Sequence, residues 1–303
     1  MTSLPVIAQT AGPGAARWAG RRRGRRTGGT NRRPGWLTYA ILVVVILGSA
    51  YPLYYTIQLG SSDAVTIAQE PIPQLLPQGN FFDNVATLFD GTIPWGRAFL
   101  NSVVISTAAA LSVVAFSTLA GYSFAKLRYK GRGPLLVFVI ATMAVPTQLG
   151  IVPMFILFTE LGINNNILGV IIPAMVSAFG VFWMTQYLEQ ALPYELIEAA
   201  RVDGASMIRT FWHVALPAAR PAAAMLGLFT FVTHWTAFFW PFIILTSANP
   251  TLPMAVQLLQ ANYFTDYSLV MAGVLLTTVP LLVLFIVAGK QLVSGIMQGA
   301  VKG

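Results

Sequence analysis

Long apolar stretches alternate with short polar segments from residue 36 to the end of the chain. About 20 apolar residues in a helix are enough to cross a hydrocarbon core about 30 Å thick. Six stretches reach this length, so the pattern predicts six membrane-spanning helices. They cover residues 36–57, 100–126, 135–161, 167–188, 221–245 and 269–292.

The third stretch carries two prolines, Pro146 and Pro153, inside its apolar run. Proline lacks a backbone N–H and disturbs the interior of a helix. We therefore expect this span to be kinked or locally unwound and the other five spans to be regular. Such a kink could line a pathway through the membrane or permit close helix packing, and both interpretations stay open at this point.

Composition agrees with a membrane protein. Of the 303 residues, 56% are hydrophobic and 9% are charged, whereas an ordinary soluble domain has about 25% charged residues. The chain contains no cysteine, which excludes disulfides and thiolate metal sites. The predicted fold class is an all-α membrane protein with six transmembrane helices.

Charge placement predicts the orientation of the chain. All but one of the 18 Lys and Arg residues lie in segments that six spans would place on one side, and only Arg97 lies on the other. Since Lys and Arg concentrate in cytoplasmic segments, both termini are predicted to be cytoplasmic.

The first 34 residues are rich in Gly and Arg and contain no acid. They are predicted to form a disordered cytoplasmic tail that contacts anionic lipid rather than nucleic acid. The apolar stretch that follows is longer than the apolar region of a signal peptide, which has about 7 to 15 residues. We therefore expect it to be retained as the first helix.

Motifs for catalysis are missing from the chain. It has two histidines, no phosphate-binding glycine loop, no zinc-protease motif and no nucleophile elbow. We predict no catalytic residue, no metal site and no ATP hydrolysis on this chain. Uphill transport would need an ion gradient acting through intramembrane acids, or a second chain that hydrolyses ATP. No Asp or Glu lies near the middle of a predicted span, which favours the second source of energy.

Residues 188–220 form a polar, charged segment between two apolar stretches. Pro193 and Glu195 suit the first turn of a helix, and Gly204 suits the left-handed residue that ends it. A second short helix is predicted from Ser206 as its N-cap to Pro217, which should end it. The pair would form a compact docking element or, alternatively, an amphipathic hairpin on the inner leaflet. The apolar residues expected to face a partner are Leu196, Ile197, Ala199, Ala200 and Phe211, with Glu198 and Arg209 at the rim.

The same segment contains a spaced motif, in which Glu198-Ala199-Ala200 precedes Gly204 and then, after nine residues, Val214-x-Leu216-Pro217. It resembles the E-A-A-x-x-x-G-x9-I-x-L-P signature of the membrane-spanning subunits of ATP-binding-cassette (ABC) importers, with Val in place of Ile. Residues 265–303 are similar to the C-terminal third of maltose-type permeases in the carbohydrate branch of type I importers. The resemblance implies the type I ABC importer permease (MetI-like) fold over residues 35–303, in a bacterial plasma membrane.

That resemblance also implies a division of work among several chains. This subunit would form half of the translocation pathway with a second, different permease. Two ATPase subunits would bind ATP and Mg, so no cofactor is expected on this chain. An extracytoplasmic binding protein would deliver a di- or oligosaccharide, and residues 246–268 would probe its sugar cleft.

Two groups of site residues follow from the resemblance. The residues implied in ATPase coupling are Glu198, Ala199, Ala200, Asp203, Gly204, Leu216 and Pro217. A C-terminal cytoplasmic tail, residues 290–303, would contact the ATPases through Gly299, Val301, Lys302 and Gly303.

Aromatic residues near the end of the fifth span could stack on sugar rings. The candidate substrate-pathway residues are His234, Trp235, Thr236, Phe239 and Trp240. The alternative is an interfacial aromatic belt with a packed neutral histidine. No span centre contains Lys or Arg, which favours a neutral sugar over glycerol phosphate or another polar solute. An ion-coupled secondary carrier is the alternative from a different class, and a membrane-embedded enzyme is the third.

Overall fold

The computed structural model describes residues 35–70, 74–261 and 265–300, with side chains described up to residue 288. The predictions for residues 1–34 and for Val301, Lys302 and Gly303 lie outside this range. Every regular element in the described part of the chain is helical, which confirms the predicted all-α class. The helices are α1 (Trp36–Gly60), α2 (Ala64–Gln69), α3 (Phe81–Asp90), α4 (Trp95–Lys126), α5 (Arg132–Thr142), α6 (Ile151–Glu160), α7 (Leu168–Ala174), α8 (Ala178–Ala191), α9 (Tyr194–Val202), α10 (Met207–Thr210), α11 (Leu216–Trp235), α12 (Phe239–Ile244), α13 (Leu252–Gln260) and α14 (Tyr267–Ala300).

Five stretches of helix in the described part of the chain are long and apolar enough to cross a membrane. They are α1, α4, the α7 and α8 pair, the stretch Met207–Trp235, and the first part of α14, Tyr267–Ala288. A bent pair, Arg132–Thr142 with Thr147–Glu160, whose axes meet at 85°, gives the predicted number of six when it is counted as one span. The chain divides after Ala50 into two compact units. The residues of α1 up to Ala50 belong to the first unit, and the remaining residues of α1 belong to the second.

The break in the third span lies at Pro146 and confirms the predicted irregularity. Pro146 has extended backbone angles, and a single 3-10 turn, Thr147–Gly150, precedes α6. Pro153 causes no break, because it is the third residue of α6, where a backbone N–H has no partner within the helix. The two prolines of this span therefore have different effects.

The fourth span is also interrupted, so the prediction that only the third is irregular is wrong. The break lies at residues 175–177 between α7 and α8. Ser177 has extended backbone angles and caps α8, and its hydroxyl oxygen accepts a hydrogen bond from the Gly180 N–H at 3.1 Å. A capping serine offers the backbone this alternative to a continuous helix.

The predicted bounds of the fifth span are wrong at both ends. The apolar helix occupies Met207–Trp235 rather than residues 221–245, and α12 is a separate short helix. At the C-terminal end the cause is Pro241. It has no backbone N–H, so it could not donate a hydrogen bond to the carbonyl of Ala237 in a continuous helix. In the structure, Pro241 instead lies in the first turn of α12, where no donor is needed.

Close contact between α4 and α8 organises the core of the second unit. A Cβ atom built on Gly121 of α4 would lie 2.6 Å from the Cβ of Met184 and 2.8 Å from its backbone carbon. On the other helix, a Cβ on Gly180 would lie 2.4 Å from the Ser117 Oγ. Small residues thus let the two backbones approach, as is common between membrane helices.

We expect Gly121→Ala to destabilise the protein, because the added methyl group meets backbone atoms that cannot rotate away. Overpacking of this kind costs about 1–3 kcal/mol. Gly133→Ala in α5 is the matched control, since its added Cβ would have no atom within 4 Å. Thermal unfolding in detergent should show a lower midpoint for Gly121→Ala and an unchanged or higher one for Gly133→Ala. Equal midpoints would contradict the assigned contact.

Candidate functional site

Helix α9 begins the polar segment predicted to dock on a partner. Pro193 is its N-cap residue and Glu195 lies in its first turn, close to the predicted arrangement. Ile197 and the preceding Leu192 are fully buried, whereas Glu195 and Glu198 are exposed. The helix therefore has one face in the core of the protein and one face free.

The turn after α9 has the hydrogen bonds of a Schellman motif, which confirms the predicted left-handed conformation of Gly204. Gly204 has φ of +77°, and its N–H donates to the Arg201 carbonyl at 3.0 Å. The next N–H, of Ala205, donates to the Ala200 carbonyl at 2.9 Å. Both bonds satisfy carbonyls at the end of the helix and require a left-handed residue at Gly204.

The second helix begins as predicted but does not end at Pro217. The Ser206 hydroxyl oxygen accepts a hydrogen bond from the Arg209 N–H at 3.3 Å and caps α10. A π turn, Phe211–Ala215, then leads directly into α11, in which the Leu216 N–H donates to the Phe211 carbonyl. This wider turn lies where the ring of Pro217 would meet the preceding carbonyls of a regular helix. Leu216 and Pro217 therefore lie in the first turn of a long helix, not at the end of a short one.

Buried side chains hold the polar segment against α4 and α8. Ile197 and Leu192 share a core cluster with Tyr122 of α4 and Met184 of α8, and the same cluster includes Phe211. The predictions that Ile197 and Phe211 face a partner are therefore wrong. Their apolar side chains cover this chain's own helices, and sequence alone did not show which apolar residues do so.

Two further contacts join this segment to the end of α4. The Lys126 ammonium donates to the Glu189 backbone carbonyl at 3.2 Å. The Arg128 guanidinium carbon lies 4.9 Å from the centre of the Tyr194 ring, within the range of a cation–π interaction. The segment is thus held on several sides and would move together with α4 and α8.

The free side of α9 and its turn form a mixed apolar and acidic surface, which we call the docking face. Its most exposed apolar residue is Val202, at 88% exposure. Sequence reasoning missed Val202, although its position just before Asp203-Gly204 places it beside the turn. Ala200 is half-buried, at the edge of this surface. The docking face consists of Glu198, Ala199, Val202, Asp203 and Gly204, all exposed.

An apolar groove lies between α4 and the segment that runs from α10 to the start of α11. Its volume is about 770 Å³. Met207, Ile208 and Trp212 border it and are exposed, and Leu216 also lines it. Sequence reasoning did not single out the first three, whose apolar spacing also fits an ordinary membrane helix.

The structure separates the five candidate substrate-pathway residues. Trp235 is 2% exposed, and its indole N–H donates to the Thr277 carbonyl at 2.9 Å, so it is a packing residue rather than an exposed contact. Trp240 is half-buried and donates to the Gly169 carbonyl at 3.1 Å. Thr236 and Phe239 are exposed and His234 is half-buried. The indole groups of Trp235 and Trp240 are thus both bonded to backbone carbonyls of other helices. The other three residues present the remaining polar and aromatic surface of this group.

Comparison with protein families identifies the type of chain. Residues 117–290 match the family described as the binding-protein-dependent transport system inner membrane component, which is more than half of the chain. The chain belongs to this family. The match includes the α9–α10 turn, so the docking face lies within the part that the family shares.

Relatives of this permease have several substrates in their names. The arabinooligosaccharides transport system permease protein AraQ of Bacillus subtilis is 32% identical over 75% of this chain and 81% of its own length. The lactose transport system permease protein LacG of Rhizobium radiobacter is 30% identical, over 89% and 97%. The sn-glycerol-3-phosphate transport system permease protein UgpE of Pectobacterium atrosepticum is 28% identical, over 86% and 95%.

A solved structure shares the fold of this permease. It is a chain of a bacterial ABC transporter involved in the import of the acidic polysaccharide alginate, with a TM-score of 0.74. The likeness covers 84% of this chain and 95% of that one at 22% identity. The fold is that of a type I ABC importer permease, as the motif resemblance implied.

We expect Gly204→Val to open the α9–α10 turn locally. A Cβ at Gly204 has open space, so the penalty comes from φ alone and amounts to about 1–2 kcal/mol. Gly204→Asn is the matched control, because Asn tolerates the left-handed conformation. Hydrogen exchange at the Ala205 amide should become about tenfold faster in Gly204→Val than in Gly204→Asn. Equal exchange in the two variants would show that the turn does not depend on φ at this position.

Proposed function

We propose that this chain is the sugar-translocating permease of an ABC importer and forms half of the pathway with a second, different permease. The docking face carries the proposal, since it is an exposed acidic and apolar surface on a base that is packed into the membrane helices. A partner that moved this surface would move α4 and α8 with it. A hairpin lying loosely on the inner leaflet would not need Ile197 and Leu192 in the protein core.

The proposed orientation has the docking face and both termini in the cytoplasm. Lys126 and Arg128, at the end of α4, contact the same polar segment that carries the docking face. Basic residues and the docking face therefore lie at the same end of α4. This grouping supports the positive-inside assignment. The tail of residues 290–303, with Gly299, Val301, Lys302 and Gly303, would then also reach the ATPases.

The energy for transport would come from the two ATPase subunits, which would bind ATP and Mg. Glu198 would pair with a basic residue of an ATPase, and Val202 would enter an apolar depression beside it. Closure of the ATPases would bring this docking face towards that of the second permease. The membrane helices would follow, and the pathway would switch between its inward-facing and outward-facing forms.

A neutral di- or oligosaccharide is the proposed substrate, delivered by an extracytoplasmic sugar-binding protein. Two of the relatives named above carry sugars in their names. Arg220 lies near the middle of the stretch Met207–Trp235, so the expectation that no span centre carries Lys or Arg is wrong, and the proposal of a neutral sugar rests on these two relatives. Phe239, Thr236 and His234 offer the aromatic and polar surface that a sugar would contact.

Purification of the tagged chain from its native cells in mild detergent tests the proposed assembly. We expect a second permease and an ATPase to be recovered with it, and uptake of labelled sugars to depend on ATP. Unlabelled neutral oligosaccharides should compete for uptake, and glycerol phosphate should not. Uptake by the chain alone, lost when the proton gradient is collapsed, would instead establish an ion-coupled carrier.

Glu198→Lys should leave the chain inserted in the membrane but uncouple ATP hydrolysis from uptake. The substitution places a positive charge where a basic residue of the ATPase is expected. Glu160→Lys is the matched control, because it makes the same charge change on an exposed residue at the end of α6. Uptake should fall at least tenfold in Glu198→Lys and change little in Glu160→Lys. Normal uptake by Glu198→Lys would remove Glu198 from the coupling surface.

A further inference from the structure

Asn165 has an unusual backbone conformation in the turn between α6 and α7. Its φ is +57°, and no other residue apart from glycine has a positive φ in the described part of the chain. Asn is among the few residues that adopt this left-handed conformation at low cost. The turn therefore depends on the residue type at this position, and the contacts of Asn165 indicate its use.

Four hydrogen bonds join Asn165 to the last residue of α12 and to the turn that follows it. Its N–H donates to the Ile244 carbonyl at 2.8 Å, and its own carbonyl accepts from the Asn249 Nδ2 at 3.0 Å. The side-chain oxygen Oδ1 accepts from the Thr246 N–H at 3.2 Å and from the Thr246 hydroxyl at 2.9 Å. One residue thus holds both edges of a turn about 80 residues further along the chain.

The same segment is bonded on its other side to α4. The Asn101 side chain donates to the Asn249 Oδ1 at 2.9 Å and to the Pro250 carbonyl at 2.8 Å. The Arg97 guanidinium donates to the Ala248 carbonyl at 3.0 Å. The Ser102 hydroxyl oxygen accepts from the Leu252 N–H at 2.9 Å, at the first residue of α13. Residues 244–252 are therefore held between the α6–α7 turn and α4.

We infer that Asn165 is a positioning residue for the outer loop that begins at Thr246 and contains α13. The bonds of Asn165 hold the base of this loop, and α13 follows that base directly and packs on α4 and α14. On the proposed function, on which this inference rests, the loop meets the sugar-binding protein. Asn165 would then act at a distance, by presenting the loop in one orientation rather than by touching the partner.

Three substitutions at position 165 separate the contributions of the side chain and the backbone. Asn165→Gly keeps the left-handed conformation but removes the Oδ1 acceptor. Asn165→Asp keeps both, because a carboxylate oxygen can accept the two bonds from Thr246. Asn165→Ala removes both the acceptor and the preference for positive φ. If Asn165 positions the loop, the loop should be held best in wild type, less well in Asn165→Asp, still less in Asn165→Gly and least in Asn165→Ala.

A spin label reports directly on the loop. This chain has no cysteine, so Gln260→Cys gives it a single labelling site at the exposed end of α13, and the chain is labelled before it is assembled with its partners. In the full transporter we expect the label to be restricted in wild type and in Asn165→Asp. It should be clearly more mobile in Asn165→Gly. Equal mobility in all three would overturn the inference.

The second readout is the stimulation of ATP hydrolysis by sugar-loaded binding protein in the reconstituted transporter. The loss of two neutral hydrogen bonds corresponds to about a tenfold change in an equilibrium. We expect the half-maximal concentration of binding protein to rise about tenfold in Asn165→Gly and to stay within about twofold of wild type in Asn165→Asp. Hydrolysis without binding protein should be the same in both.

A second pair of variants tests the same contact if Asn165→Gly fails to assemble. Thr246→Val removes one donor to Asn165, and Thr246→Ser keeps it. The half-maximal concentration should rise a few-fold in Thr246→Val and stay near wild type in Thr246→Ser. Wild-type stimulation in both glycine and valine variants would overturn the positioning role. Absence of stimulation in the wild-type transporter would instead overturn the proposed function, and this inference with it.

Discussion

The close approach of α4 and α8 is the contact on which the rest of the structure depends. Gly121 and Gly180 let the two backbones come together, and Met184 fills the space between them. The same pair of helices then receives Ile197 in its core, so the position of α9 follows from this packing. In a membrane, where apolar surface alone does not drive helices together, such contact has to come from shape and small residues. The docking face therefore lies on a helix whose buried side packs on this pair.

Proline shows how far the sequence predicts the fold and where it stops. Pro146 breaks the third span as expected, since a helix that continued through it would lose a hydrogen bond. Pro217 was expected to end a helix by the same rule, yet the helix continues, because a π turn precedes it. Pro241 shifts the end of the fifth span by several residues. The apolar pattern predicts how many spans exist, but the neighbouring backbone decides which proline breaks a helix.

The parts of the candidate site that depend only on neighbouring residues in the sequence were predictable. Gly204 and Ser206 follow from capping and turn chemistry that involves only adjacent residues, and the structure has both. Ile197 and Val202 are both apolar and five residues apart, and only tertiary packing determines that the first is buried and the second exposed. The contacts of Asn165 are still harder to predict from the sequence, since its partners lie about 80 residues away and no periodicity links them.

Helix α4 connects the two regions for which a function is proposed. Its 32 residues extend about 48 Å at 1.5 Å per residue, longer than the hydrocarbon core is thick. Lys126 at one end contacts the segment that carries the docking face, and Asn101 near the other end contacts the base of the outer loop. Pro146 interrupts the third span, but α4 is continuous and contains no proline. A displacement applied at the docking face would therefore reach the outer loop through one unbroken helix, and the hydrogen bonds of Asn165 would make the α6–α7 turn move with it.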